Sequence, residues 1–82
     1  NPIGIETAEL NENIRLYPNP TSGKVSIEAD GIVLIDVLDI AGRLRKSFEE
    51  TNVIDLSDLE AGIFTLRIVL NKGTAVRKVV KR

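Results

Sequence analysis

The sequence predicts an all-β domain, an antiparallel β-sandwich of about seven short strands. Three features support this prediction. Apolar and polar residues alternate in short segments, glycine or proline stands at nearly every boundary between segments, and no segment has the apolar period of a helix. The alternation by itself does not distinguish a sandwich from a small barrel.

The 82 residues are enough for one small domain with an aliphatic core. Residues 1–13 mix proline, glycine, acids and amides, which predicts a flexible linker from a preceding domain, and residues 14–82 form the folded unit. Because there is no initiating methionine, we expect the chain to be part of a longer protein. No apolar run approaches the roughly 20 residues that a membrane span needs.

Folded structure is predicted to begin at the prolines of the segment Leu16-Tyr17-Pro18-Asn19-Pro20-Thr21-Ser22-Gly23. Each proline fixes its own φ and favours extended backbone in the residue before it, so we expect the chain to enter straight. Asn19, Pro20 and Gly23 suit a type I turn in which the glycine accepts a positive φ.

The strands expected after this turn cover residues 24–28, 32–38, 43–48, 53–56, 64–70 and 75–81. Asp30-Gly31 favours a hairpin between the first two, although in a sandwich these strands could instead part. Asp39 and Gly42 occupy the first and fourth positions of a predicted type I turn.

The last two strands follow a connection in which Leu59 is expected to enter the core from a helical turn and Gly62 to end that turn with positive φ. Leu44 and Phe48 are predicted to point inward, and Asp36 is predicted to stay in water. The predicted core consists of Val25, Ile27, Val33, Ile35, Val37, Leu56, Leu59, Phe64, Leu66 and Ile68.

Composition restricts the chemistry that the chain can perform. It has no histidine or cysteine, which excludes Ser-His-Asp and Cys-His catalysis and thiolate metal sites. Paired carboxylates occur at Glu49-Glu50 and at Asp55 with Asp58, but they fall in turns without an apolar pocket to raise a pKa. We therefore expect no enzymatic activity.

Ligand binding of the common kinds is also not expected. Asp55, Asp58 and Glu60 offer oxygens for calcium, but the glycine-bearing loop of an EF-hand is absent, so no metal or other cofactor is predicted. Nucleic-acid binding needs stacking aromatic residues on a basic face. Two of the three aromatic residues, Phe48 and Phe64, occupy strand positions that are expected to face the core, so nucleic-acid binding is not predicted.

The charges are segregated along the chain. Through Gly62 there are twelve acidic and five basic residues, and from Ile63 onward six basic and none acidic. Two explanations remain open, namely pairing within the fold and a basic end that docks on a partner.

Four motifs together resemble one known family: Tyr17-Pro18-Asn19-Pro20 followed by Gly23; Asp39-Ile40-Ala41-Gly42-Arg43 at the end of a strand; Leu59-Glu60-Ala61-Gly62-Ile63-Phe64; and a basic, apolar last strand, Val76-Arg77-Lys78-Val79-Val80-Lys81-Arg82. From about Ile14 to Arg82 the chain is similar to the type A C-terminal sorting domain of the type IX (Por) secretion system of Gram-negative bacteria. Phe64 and Leu38 stand where that family more often has tyrosine.

The resemblance implies an immunoglobulin-like topology and the function of a sorting signal. Such a domain takes an N-terminally fused cargo from the periplasm to an outer-membrane translocon, and a sortase then cuts on its N-terminal side, here before Leu16, leaving the cargo at the cell surface or secreted. We expect the recognition residues to be Tyr17, Pro18, Asn19, Pro20, Gly23, Asp39, Gly42, Leu59, Gly62, Phe64, Lys78, Lys81 and Arg82.

The alternative hypothesis is an immunoglobulin-like binding or stalk module of a larger secreted protein. A sugar-binding module would use exposed aromatics, of which only Tyr17 is available, and a stalk would have chain after it.

Overall fold

The computed structural model describes residues 14–82, so the predicted linker, residues 1–13, lies outside the described residues. The described part consists of seven strands without a helix: β1 (Arg15–Tyr17), β2 (Lys24–Glu28), β3 (Ile32–Leu38), β4 (Leu44–Glu49), β5 (Val53–Asp55), β6 (Gly62–Leu70) and β7 (Gly73–Lys81). Within this range there is accordingly no helix long and apolar enough to cross a membrane.

The strands form two antiparallel sheets, β1-β2-β5 and β4-β3-β6-β7. This is the strand order A-B-E and C′-C-F-G of an immunoglobulin-like sandwich, which confirms the predicted fold. The strands on either side of Asp30-Gly31 part, β2 to one sheet and β3 to the other. Asn71 and Lys72 form the two-residue loop of the β6–β7 hairpin, in which Leu70 lies opposite Gly73.

Nine of the ten predicted core residues are buried between the sheets. β6 follows its predicted alternation throughout, since Phe64, Leu66, Ile68 and Leu70 are all buried. The buried apolar residues are Val25, Ile27, Ile32, Ile35, Val37, Ile54, Leu56, Leu59, Phe64, Leu66, Ile68, Leu70, Ala75 and Val79.

Val33 is the exception, because it is 42% exposed. The register between β3 and β6 shifts between Ile32 and Leu34, so the phase of the strand changes there and Ile32 takes the inward position.

The prediction that Asp36 stays in water is also wrong. Its side chain is on the outer face of the sheet but is buried between Ser47 on β4 and Arg67 on β6.

The inward position predicted for Leu44 is wrong as well, since Leu44 is 57% exposed. Val37 lies opposite Lys46, but Leu38 lies opposite Leu44, so Arg45 is the extra residue of a bulge and Leu44 turns to the outer face. Phe48 lies opposite Ile35 and packs against the core while remaining partly exposed.

Candidate functional site

The first group of motif residues joins the start of the described chain to its last strand. Between Tyr17 in β1 and Thr21 the chain bends at residues 18–20 and passes from the first sheet to the second, so the expectation that it enters straight is wrong. Thr21 forms a parallel bridge with Lys81: its N–H donates to the Val80 carbonyl, and its carbonyl accepts from the Arg82 N–H, both at 2.8 Å.

The side chain of Asn19 continues this contact along β7, toward Lys78. Its Oδ1 accepts a hydrogen bond from the Val80 N–H at 3.0 Å, and its Nδ2 donates to the Lys78 carbonyl at 3.1 Å. The amide therefore takes the place of a peptide unit on the outer edge of β7. Tyr17, Pro18 and Pro20 are exposed around it, and the peptide bonds preceding both prolines are cis.

Gly23 has a different role from the predicted one. Its φ is not positive, and a Cβ at this position would lie 3.2 Å from the Cβ of Ser57. The glycine thus allows close approach to the connection after β5, where the Leu56 N–H donates to its carbonyl at 2.9 Å. Buried Thr21 fixes the same corner, because its Oγ1 donates to the Lys24 carbonyl and accepts from the Gly23 N–H.

The second group surrounds the turn after β3. The Gly42 N–H donates to the Asp39 carbonyl at 2.9 Å and Gly42 has a φ of 86°, which confirms a tight turn closed by this glycine. The buried carboxylate of Asp39 accepts from the N–H groups of Arg43 and Ala41 and from Arg43 Nε. These hydrogen bonds, first of all the one from the Arg43 backbone, lower the pKa of Asp39.

The connection into β6 lies beside this turn. Leu59 is buried, its N–H donates to the Leu56 carbonyl, and Gly62 begins β6 with a φ of 156°, as predicted. Phe64, two residues later, is fully buried in the core. Leu59 and Phe64 therefore lie beneath the surface, and Phe64 also lines part of the depression described below.

Arg45 links the two turns and was not among the predicted site residues. Its guanidinium forms a bidentate pair with Glu60, at 2.8 and 3.1 Å, and lies 3.7 Å from Asp39. No local pattern indicates a contact between residues 15 positions apart. This pair holds the Asp39 turn against the connection that leads into β6.

The predicted basic end is divided between two faces of β7. Lys78 and Arg82 are exposed and point outward, whereas Lys81 is buried on the core side and donates from Nζ to the Arg82 carbonyl at 3.0 Å. The expectation of three equivalent exposed cations is therefore wrong for Lys81, because successive residues of a strand point to opposite faces. Within residues 14–82, no carboxylate side chain lies within ion-pair distance of Lys78 or Arg82.

The second group borders a shallow depression at the end of the four-stranded sheet, which we call the Ile40 groove. It has two adjoining parts of about 300 and 330 Å³. Asp39, Ile40 and Ile63 line both parts, Lys78 and Gly42 line the first, and Gly62 lines the second. The structure thus brings together motif residues from the turn after β3, from β6 and from β7, while the Tyr17–Gly23 motif lies at the edge of β7, where Asn19 bonds to the Lys78 carbonyl.

Three of the carboxylates considered for catalysis or calcium are engaged in hydrogen bonds or ion pairs with other residues. Asp58 pairs with Lys46 at 2.8 Å, Glu60 pairs with Arg45, and Asp55 accepts from the Ser57 N–H. These partners lower the pKa values of all three, whereas a general acid needs a raised one. Among the described residues no group of three or more acids is placed to hold a metal ion.

The described chain is a small immunoglobulin-like sandwich whose motif residues lie in turns, at the start of β6 and along the edge strand β7. Residues 15–82 match the family model described as the secretion system C-terminal sorting domain, and the chain belongs to that family. The match confirms the resemblance found in the sequence. A comparison with curated proteins gives no match.

Membership in this family establishes the general function. The domain is a sorting signal of type IX secretion, and the family is not a catalytic one. A signal of this kind interacts with the type IX machinery and directs export across the outer membrane, toward the cell surface or the extracellular space.

Proposed function

We propose that the folded domain is bound by the outer-membrane type IX translocon after transit through the periplasm, with a cargo protein fused to its N-terminal side. The observation that carries this proposal is the attachment of Asn19 and Thr21 to the end of β7. It joins the first and last motifs of the sequence into one surface, so a partner can read both at once. A rigid surface of this kind suits a signal that must be recognised on unrelated cargoes.

A sortase then removes the domain by cutting on its N-terminal side, before Leu16, and the cargo is anchored at the cell surface, by attachment to anionic lipopolysaccharide, or released. The strand pairing supports this position. β1 begins at Arg15 and pairs with β2 as far as Tyr17, so a cut that precedes β1 leaves the sandwich whole. Proteolysis favours backbone outside hydrogen-bonded strands.

The basic end of β7 contributes to recognition by the translocon. Lys78 and Arg82 carry its exposed charge, whereas Lys81 is buried and supports the strand. Exposed charges with no carboxylate partner among the described side chains contribute little to stability, but they accelerate docking on an acidic surface. A variant that combines Lys78→Gln and Arg82→Gln, with Lys81 retained, is therefore expected to fold like the parent and to be exported less.

The proposal is tested by fusing residues 1–82 to the C-terminal end of a periplasmic reporter in a host with type IX secretion. The matched control is the same fusion in a strain that lacks this system. We expect reporter outside the parent strain and retained reporter in the control strain. Mass spectrometry of the exported reporter should show a new C-terminus upstream of Leu16, whereas export with the domain still attached would contradict removal by a sortase.

The double variant is tested in the same fusion, with thermal unfolding of the isolated domain as the control for folding. Export equal to that of the parent would show that the two charges are only a solvated face. Export of the parent fusion in the strain without type IX secretion would contradict the proposal as a whole.

A further inference from the structure

Three exposed apolar side chains lie in or beside the Ile40 groove. Ile40 is 86% exposed at the tip of its turn, and Ile63 is 47% exposed although it lies within a nine-residue strand. Val80 lies opposite Ile63 in the neighbouring strand and is 39% exposed. Contiguous apolar surface of this kind marks a site of protein interaction more often than isolated exposed residues do.

The charges around the groove are not balanced. Asp39 is already bonded to Arg43, and Glu60 is already held by the bidentate pair with Arg45. Lys78, on the rim, has no carboxylate within 4 Å among residues 14–82. The groove therefore presents an apolar floor beside a cation that remains available to a ligand.

We propose that the Ile40 groove binds a peptide segment of the secretion machinery that carries an apolar side chain next to a carboxylate. The apolar side chain packs against Ile40 and Ile63, and the carboxylate pairs with Lys78. The two parts of the groove, about 300 and 330 Å³, are each large enough for one side chain. This inference rests on the proposed function, which supplies a protein partner, and adds the residues and the chemistry of the contact.

The first test measures export of the reporter fusion with three single variants, Ile40→Ser, Ile63→Ser and Lys78→Glu. Matched controls are Val53→Ser, which is 49% exposed, and Lys24→Glu, both on the outer face of the other sheet. Removing an anchor at the centre of a contact commonly weakens binding by about tenfold or more. We expect the groove variants to lower export by about that factor and the controls to leave it unchanged, with all five domains folded by thermal unfolding.

The second test identifies the occupant by photocrosslinking in living cells, with benzoylphenylalanine replacing Ile40 or, as the control, Val53. We expect the label at position 40 to give an adduct with an outer-membrane protein of the type IX system, mapped by mass spectrometry to a segment that contains Asp or Glu. The same adduct should decrease about tenfold when Lys78→Glu is added.

Several results would overturn the proposal. These are normal export of folded groove variants, equal losses in the controls, adducts with lipid or with a second copy of the domain, and equal yields from both labelled positions. Failure of the parent fusion to be exported would instead contradict the proposed function itself, so the two failures are distinguishable.

Discussion

Asn19 bonds to Val80 as though its side chain were part of a neighbouring strand. The Val80 N–H donates to Asn19 Oδ1 at 3.0 Å, and the Nδ2 of the same amide donates to the carbonyl two residues earlier in β7. An unpaired edge strand is open to aggregation and to binding by other chains. At residues 78–82 this edge is covered by residues 19–21, so this end of β7 is not open to strand addition by a partner.

The first prediction concerns this amide. Asn19→Ala removes two hydrogen bonds, each of which contributes about 0.5–1.5 kcal/mol, so we expect the free energy of unfolding to fall by roughly 1–3 kcal/mol. Urea denaturation measures the loss, and Ser22→Ala, at an exposed position in the same segment, is the control. Relative to the parent, Asn19→Ala should accelerate hydrogen exchange more at the Val80 amide than at the β7 amides that face β6. Equal stability of the two variants would contradict the assigned role of Asn19.

The second prediction separates the core from the surface within one motif. Phe64 is 2% exposed and Ile63 is 47% exposed. Phe64→Ala should reduce the free energy of unfolding by about 3–5 kcal/mol, because it leaves a cavity. Ile63→Ala should cost less than about 1 kcal/mol. Denaturant titration of the isolated domain measures both values, and similar costs would show that the phase of β6 is misassigned.

The third prediction concerns Gly42, whose φ of 86° is unfavourable for residues with a Cβ. No heavy atom lies within 4 Å of a Cβ built at this position, so the penalty is purely conformational. Gly42→Ala should cost about 1–2 kcal/mol, and Gly42→Asn should cost less because asparagine tolerates the left-handed region. Thermal unfolding of the two variants provides the comparison. If alanine were tolerated as well as asparagine, the turn would have another conformation in solution.

The fourth prediction is a pH dependence. The pKa of Asp36 is lowered in the folded state, most of all by the hydrogen bond from Ser47 and next by the hydrogen bond from Arg67. The charge of Arg67 adds to this effect, and burial opposes it. A group whose pKa is lower when folded stabilises the protein above its unfolded pKa, about 3.9 for aspartate, and loses this contribution as the pH falls toward the folded value. The stability difference between the parent and Asp36→Asn should therefore be constant from about pH 7 to 5 and shrink below about pH 4.

Measurement of unfolding by urea at several pH values checks this prediction. Asp39, Asp55, Asp58 and Glu60 also have lowered pKa values, but they are present in both proteins, so the difference isolates Asp36. A difference that does not change with pH would mean that Asp36 makes no net contribution as an ion.

Local patterns in the sequence predict most of the fold. Alternation over two residues identifies β6 and β2 with their buried faces, and the Asp39–Gly42 spacing predicts a turn whose backbone hydrogen bond is present. The motifs also indicate the family, which residues 15–82 then match. These predictions succeed because side-chain direction in a strand and glycine chemistry in a turn depend on immediate neighbours.

The failures lie where one strand depends on another. The predictions for Val33 and Leu44 rest on the alternation within their own strands. A register shift of β3 against β6 changes the phase at Val33, and a shift of β4 against β3 changes it at Leu44. The contact between Arg45 and Glu60 has the same character, since it joins different elements.

By itself the sequence determined six of the seven strands, most of the core and the family of sorting domains. Only the tertiary structure decided that Asn19 lies on the edge of β7, that Lys81 turns inward while Lys78 stays on the surface, and that Ile40 and Ile63 share one groove. The physical reason is that these relationships depend on strand pairing and register. Both are determined by packing between residues that are far apart in the chain, so the alternation of apolar residues within one strand does not predict them.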